Sequence, residues 1–95
     1  MQNMFTASWN AESEWENAGI QPYGPIPMMP SAQVLNYGQA IFEGMKAQRT
    51  QTGEIVIFRP RENAARMRQG ADRMAMVPPT EAVFMDVRRP HWMII

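Results

Sequence analysis

The sequence predicts an α+β fold, a β-hairpin followed by helices, and three observations carry that prediction. Residues 45–50 and 55–58 are short strand-like runs on either side of a Thr52-Gly53 turn signal. Pro60 opens a stretch in which apolar residues recur at helical spacing. Ahead of both lies a segment dense in Pro and Gly, which neither helix nor sheet accommodates well.

Taken in order, residues 1–20 are polar, with Trp9 and Trp15 set among Ser, Asn and Glu, and they follow no clean period. Pro22, Gly24, Pro25, Pro27 and Pro30 then restrict the backbone and remove donors. Residues 1–30 are therefore expected to form an irregular N-terminal segment. Ile26, Met28 and Met29 suggest that its second part lies against an apolar surface. A short helical turn is expected at about Ala40–Glu43, ended by Gly44.

The hairpin follows. On its first strand Lys46, Gln48 and Thr50 share one face, while Met45, Ala47 and Arg49 share the other. Pro60 then starts a helix reaching about Met76, in the first-turn position that proline favours. Ala64, Met67, Ala71 and Met74 form its buried stripe, and Glu62 complements the helix dipole. Pro78-Pro79 ends this element. Thr80 caps a short helix running to about Val87, and Pro90 stops it. The organisation expected is thus a folded region over 31–87 and a divergent end over 88–95.

Composition removes several function classes. The formal net charge of zero gives no general electrostatic case for nucleic acid. The absence of cysteine excludes disulfides, thiolate metal sites and cysteine nucleophiles. His91 is the only histidine and has no carboxylate at useful spacing; Glu12, Glu14 and Glu16 make no convincing cation site, so no metal is expected. No apolar run approaches the roughly 20 residues that span a bilayer, so no membrane is expected. The start has neither the layout of a secretory signal nor that of a transit peptide, which leaves cytoplasm, plastid and mitochondrion all open. Methionine is frequent, at ten residues, and fills space without fixing it.

Three features bear on chemistry. Arg66 has Asn63 three residues before it and Gly70 four residues after it, on one helix face. Gly70 costs a helix interior about 1 kcal/mol relative to Ala, and so asks for a close approach by a ligand or another backbone. A guanidinium beside such a gap suits a phosphate. Taken alone, however, Arg66 is better read as one of several arginines on a solvated face. Tyr37-Gly38 and Phe42-Glu43-Gly44 pair an aromatic with nearby glycine, which lets a ring enter a cavity; turn chemistry explains them as well. Lys46, the only lysine, alternates with polar residues on a strand and is better read as pocket-lining than as a nucleophile.

From about Ile20 to Phe84 the strings Pro22-Tyr23-Gly24, Leu35 to Ala47, Phe58-Arg59-Pro60, Glu62-Asn63-Ala64, Arg66-Met67 and Gly70 to Met74 occur in an order that closely resembles branched-chain amino acid aminotransferases. The resemblance implies part of the smaller N-terminal domain of the fold-type IV aminotransferases. It also implies a pyridoxal 5'-phosphate cofactor, a homodimer in the full-length form, and amino transfer between Leu, Ile or Val and 2-oxoglutarate. The family's phosphate-binding arginine falls on Arg66, and its substrate-pocket residues fall on Tyr37, Phe42 and Gly44. On this footing phosphate contact becomes the favoured role for Arg66. The family's Schiff-base lysine lies downstream of the matching region and Lys46 is not its counterpart, so no catalytic residue is assigned and the chain alone is expected to be inactive. The alternatives are a non-catalytic fragment that pairs with a full-length subunit, and a relative of the D-amino acid aminotransferases or aminodeoxychorismate lyases.

Overall fold

The computed structural model describes residues 2–86, and its elements are mixed α+β. The expected tail over 88–95, with His91, lies outside the described residues, as does Val87. Two antiparallel hairpins precede or alternate with three helices. Strands β1 (Asn3–Asn10) and β2 (Glu14–Pro22) form the first; β3 (Ala47–Arg49) and β4 (Ile55–Ile57) form the second. The helices are α1 (Gln33–Tyr37), α2 (Pro60–Arg73) and α3 (Glu81–Met85).

The first hairpin corrects the expectation of an irregular segment over residues 1–30. Its ladder runs from Asn3 opposite Pro22 to Asn10 opposite Glu14, with a register shift between Thr6 and Ser8. Two residues of β2, Asn17 and Ala18, there face the single Ala7 of β1; this bulge breaks the alternation a regular strand would display, and Asn17 within it takes a left-handed backbone with φ 53°. At the turn, the Asn10 carboxamide oxygen accepts bonds from the backbone N–H groups of Glu12 (2.9 Å) and Ser13 (2.8 Å). An Asx turn of this kind closes a hairpin without glycine. Residues 24–29 are irregular, as expected, but Ile26, Met28 and Met29 are exposed and do not lie against an apolar surface among the described residues.

A second correction concerns the helical turn expected at Ala40–Glu43. The helix falls earlier, at Gln33–Tyr37, and Gly38 ends it in the left-handed region at φ 63°, while residues 38–46 are non-helical. Gly38 rather than Gly44 is the stop signal. The second hairpin lies where expected, with Gly53 at φ 88° in its turn and the Thr50 N–H bonded to the Glu54 carbonyl at 2.8 Å.

Helix α2 starts at Pro60 and ends three residues before Met76. Its C-terminus is closed by bonds from the Met76 N–H to the Ala71 carbonyl (2.8 Å) and from the Ala75 N–H to the Asp72 carbonyl (3.2 Å). Ala75 takes the left-handed turn residue's place at φ 54°. Met67 and Ala71 of the stripe are buried, and Ala64 and Met74 are half-buried. Thr80 caps α3 as expected, its hydroxyl accepting from the Val83 N–H at 3.1 Å. Helices α2 and α3 pack together, and Phe84 joins Met67 and Ala71 in the core. Two side-chain bonds tie distant parts to the segment that follows α2. The Trp15 indole donates to the Pro78 carbonyl at 2.9 Å, and the Gln39 carboxamide donates to the Met74 carbonyl at 2.8 Å.

Candidate functional site

The Gln39 bond holds the 38–46 segment alongside α2, and between them runs an open groove of about 540 Å³. Phe42, Glu43 and Gly44 line it from the segment; Arg66, Gly70 and Arg73 line it from the helix. Of the residues expected in a site, Arg66, Phe42 and Gly44 are brought together here. Tyr37 stands apart at the end of α1, exposed and outside the lining. Phe42 is at the rim with its ring in solvent, so the two aromatics do not enclose a cavity within the described residues.

Arg66 is not a free cation on a helix face. Its Nε donates to Glu43 Oε2 at 2.7 Å, and its Nη2 donates to Glu43 Oε1. Asn63, one helical turn earlier on the same face, donates to Glu43 Oε1 at 2.8 Å and to the Gly44 carbonyl at 3.0 Å. The Gly44 N–H also donates to Glu43 Oε1 at 3.1 Å. The result is a carboxylate with every oxygen engaged and only 5% of its side chain exposed, held by a guanidinium side chain that is 69% exposed. Nη1 and the outer side of the guanidinium remain directed away from Glu43.

The electrostatics follow from this packing. Arg66's hydrogen bonds hold the Glu43 carboxyl at about 2, against an ordinary 4.5; burial pushes the other way and Asn63 reinforces the lowering. Arg66 is correspondingly raised by its bonds to Glu43 and by the carboxylate's charge. Both groups are charged throughout the neutral range.

Gly70 was expected to admit a ligand or a second backbone. Instead its nearest neighbour is a side chain: a Cβ built there would meet Ile41 Cγ2 at 3.6 Å, an ordinary contact. Lys46 lines a separate groove of about 470 Å³ with Gln48, Val56 and Phe58. Gly44 borders both grooves, and Asn63 and Glu43 divide them. Glu43 and Asn63 are the site residues that sequence reasoning passed over. In the sequence Asn63 stands out only as a neighbour of Arg66, and Glu43 only as the residue between Phe42 and Gly44. Among the described residues no group of acidic or histidine side chains could hold a metal ion, and no helix is long and apolar enough to cross a membrane.

Comparison with known proteins bears on the sequence. No family model matches the chain. Curated relatives do. The chain is 48% identical over 83 residues to branched-chain-amino-acid aminotransferase 5, chloroplastic, of Arabidopsis thaliana, covering 87% of this chain and 20% of that protein. It is 47% identical over 87 residues to the branched-chain-amino-acid aminotransferase of Mycolicibacterium smegmatis, covering 92% and 24%. Against branched-chain amino acid aminotransferase 2, chloroplastic, of Humulus lupulus it is 51% identical over 86 residues, covering 90% and 20%. In class, the segment is aminotransferase sequence. More narrowly, it corresponds to an N-terminal stretch of the branched-chain-amino-acid aminotransferases, and it spans about one-fifth to one-quarter of their length.

Proposed function

We propose that this chain supplies the phosphate-binding wall of a pyridoxal-phosphate-dependent branched-chain aminotransferase. The carrying observation is Arg66, whose guanidinium borders an open groove between two glycines, with one edge fixed and the other facing outward. A phosphate fits that outer edge. Planar N–H donors match its oxygens, Gly44 and Gly70 put no side chain in the way, and Arg73 adds a second positive charge on the same groove.

When bound, pyridoxal phosphate supplies an electron sink that lets an amino group pass between an amino acid and an oxo acid. The chain's own part would be to anchor the phosphate through Arg66. Phe42 and Gly44, next to the anchor, border the space a Leu, Ile or Val side chain would take in the complete protein. Lys46, in the other groove across Asn63, is not aligned with the phosphate position. No transamination is therefore expected from these 95 residues alone. Keto-acid product from this chain with pyridoxal phosphate and leucine would contradict that.

The direct test places this segment in the Mycolicibacterium smegmatis enzyme in exchange for its matching stretch. The chimera should transfer the amino group of leucine to 2-oxoglutarate and run as a homodimer. Arg66→Ala should weaken cofactor retention by about 10- to 150-fold, the value of roughly 1.5–3 kcal/mol for bonds to a charged group. An unchanged Arg66→Ala chimera would remove Arg66 from the site. For location, the chloroplastic relatives favour a plastid compartment, which imaging of a tagged full-length protein would check.

A second reading has its own observation. Tyr37, Phe42, Phe58 and Met29 are all largely exposed, which suits a non-catalytic segment that pairs with a full-length aminotransferase subunit. Co-purification with such a subunit would favour it, and a well-behaved monomer would count against it.

A further inference from the structure

We propose that Glu43 is a positioning residue for Arg66. It grips the inner edge of the guanidinium, through Nε and Nη2, so that Nη1 and the outer side of Nη2 are presented together to an incoming phosphate while the Glu43 contact stays in place. The inference rests on the reading of Arg66 as a phosphate anchor and adds how that anchor is held.

The geometry separates the two edges of one side chain. Arginine has five N–H donors in a rigid fork, and a carboxylate engaging Nε and one Nη uses two of them. Here those two meet Glu43, and no described residue bonds to Nη1. Glu43 is itself immobilised. Its side chain is nearly inaccessible, and Asn63 and the Gly44 N–H hold Oε1 independently of Arg66. An arginine this exposed would otherwise sample many rotamers, and a phosphate would bear the cost of ordering it. The buried carboxylate removes that cost in advance. It also sets a like charge near the phosphate, but one whose charge Arg66 already neutralises.

The opposite assignment is that Glu43 competes with phosphate and is displaced by it. The two make different forecasts for one nucleus. In the 95-residue chain labelled with ¹⁵N, the Arg66 Nε–H signal should be shifted downfield and slow to exchange, as a carboxylate-bonded Nε–H is. Titration with inorganic phosphate, at ionic strength matched with chloride, should then move the Nη signals while leaving the Nε–H signal in place. Loss of the Nε–H signal as phosphate binds would overturn the proposal. This measurement needs no variant and so survives any folding defect.

Glu43→Gln keeps the bonds from Asn63 and Gly44 and weakens the grip on Arg66. It should bind phosphate about tenfold more weakly, equivalent to ~1.4 kcal/mol, with an unprotected Nε–H and a backbone spectrum otherwise retained. Glu43→Asp, which keeps the charge, should recover part of the loss. Binding by Glu43→Gln that equals or exceeds the parent's would overturn the positioning role. Arg66→Ala tells this failure from the other: if phosphate binding survives that change, the anchor reading itself is wrong, whereas if it is abolished, only the role of Glu43 is in question.

Discussion

The Glu43 carboxylate couples the stability of the chain to pH through a single residue. Its folded pKa of about 2 lies below the ordinary 4.5, so the folded state binds the proton less readily than the unfolded state does. Stability from the pair is therefore fully present above about pH 4.5 and is lost as pH falls from there toward 2. A urea-midpoint series should slope downward over that window in the parent chain, and Glu43→Gln should flatten it. An identical slope in the two proteins would mean that other carboxylates dominate. Arg66 stands out in the sequence between Asn63 and Gly70 on one helix face, yet that spacing alone reads better as a solvated arginine, and only the family resemblance favours an anion contact. Its partner was not legible at all, since Glu43 lies 23 residues away and only the non-helical path of residues 38–46 brings it to α2. A spacing rule has no means of registering a contact made by irregular backbone.

Among the elements, α2 carries the clearest record of local chemistry, and its two unusual positions offset each other. Gly70 lies inside the helix with room for a Cβ in ordinary contact with Ile41, so Gly70→Ala should stabilise the chain by up to about 1 kcal/mol. Ala75 holds the left-handed position after the helix, where a Cβ is disfavoured, so Ala75→Gly should stabilise by about 0.5–1 kcal/mol. Urea unfolding of each variant checks both, and a destabilised Gly70→Ala would show that Ile41 cannot give way. Proline at the start of α2, the Thr80 cap of α3 and the Thr52-Gly53 turn were readable because each is a local rule. The first hairpin was hidden because its bulge at Asn17-Ala18, opposite Ala7, interrupts the alternation and its turn is made by Asn10 rather than glycine.

At the scale of the molecule, the described core is small. Met67, Ala71 and Phe84 are its buried apolar side chains, while Phe58, Tyr37 and Phe42 are each at least 80% exposed. The radius of gyration, 14.5 Å, exceeds the roughly 12 Å of a compact chain this long. Phe84→Ala should therefore remove a large share of what holds α2 and α3 together, about 3–5 kcal/mol where the site cannot collapse. A chain this marginal should lose its cooperative thermal transition altogether. A Phe84→Ala protein that still melts cooperatively would place the main core elsewhere. That strands and helices both occur was legible from the spacing of apolar residues; that so little of the fold is fully buried was not, because among the described methionines only Met67 is fully buried, Met28 and Met29 are exposed and the rest are half-buried.

The bond from the Trp15 indole to the Pro78 carbonyl joins residues 63 positions apart, and it gives the first hairpin a fastening outside its own ladder. Such a hairpin is expected to detach as a hinged flap before the helices unfold. Release of the indole should free the two strands as a unit and expose the irregular Pro78 segment between α2 and α3. Emission from Trp15, in a chain with Trp9 and Trp92 changed to Phe, then reports detachment, and circular dichroism reports unfolding. The separation between those two signals on heating measures how far the first twenty residues act as a body of their own.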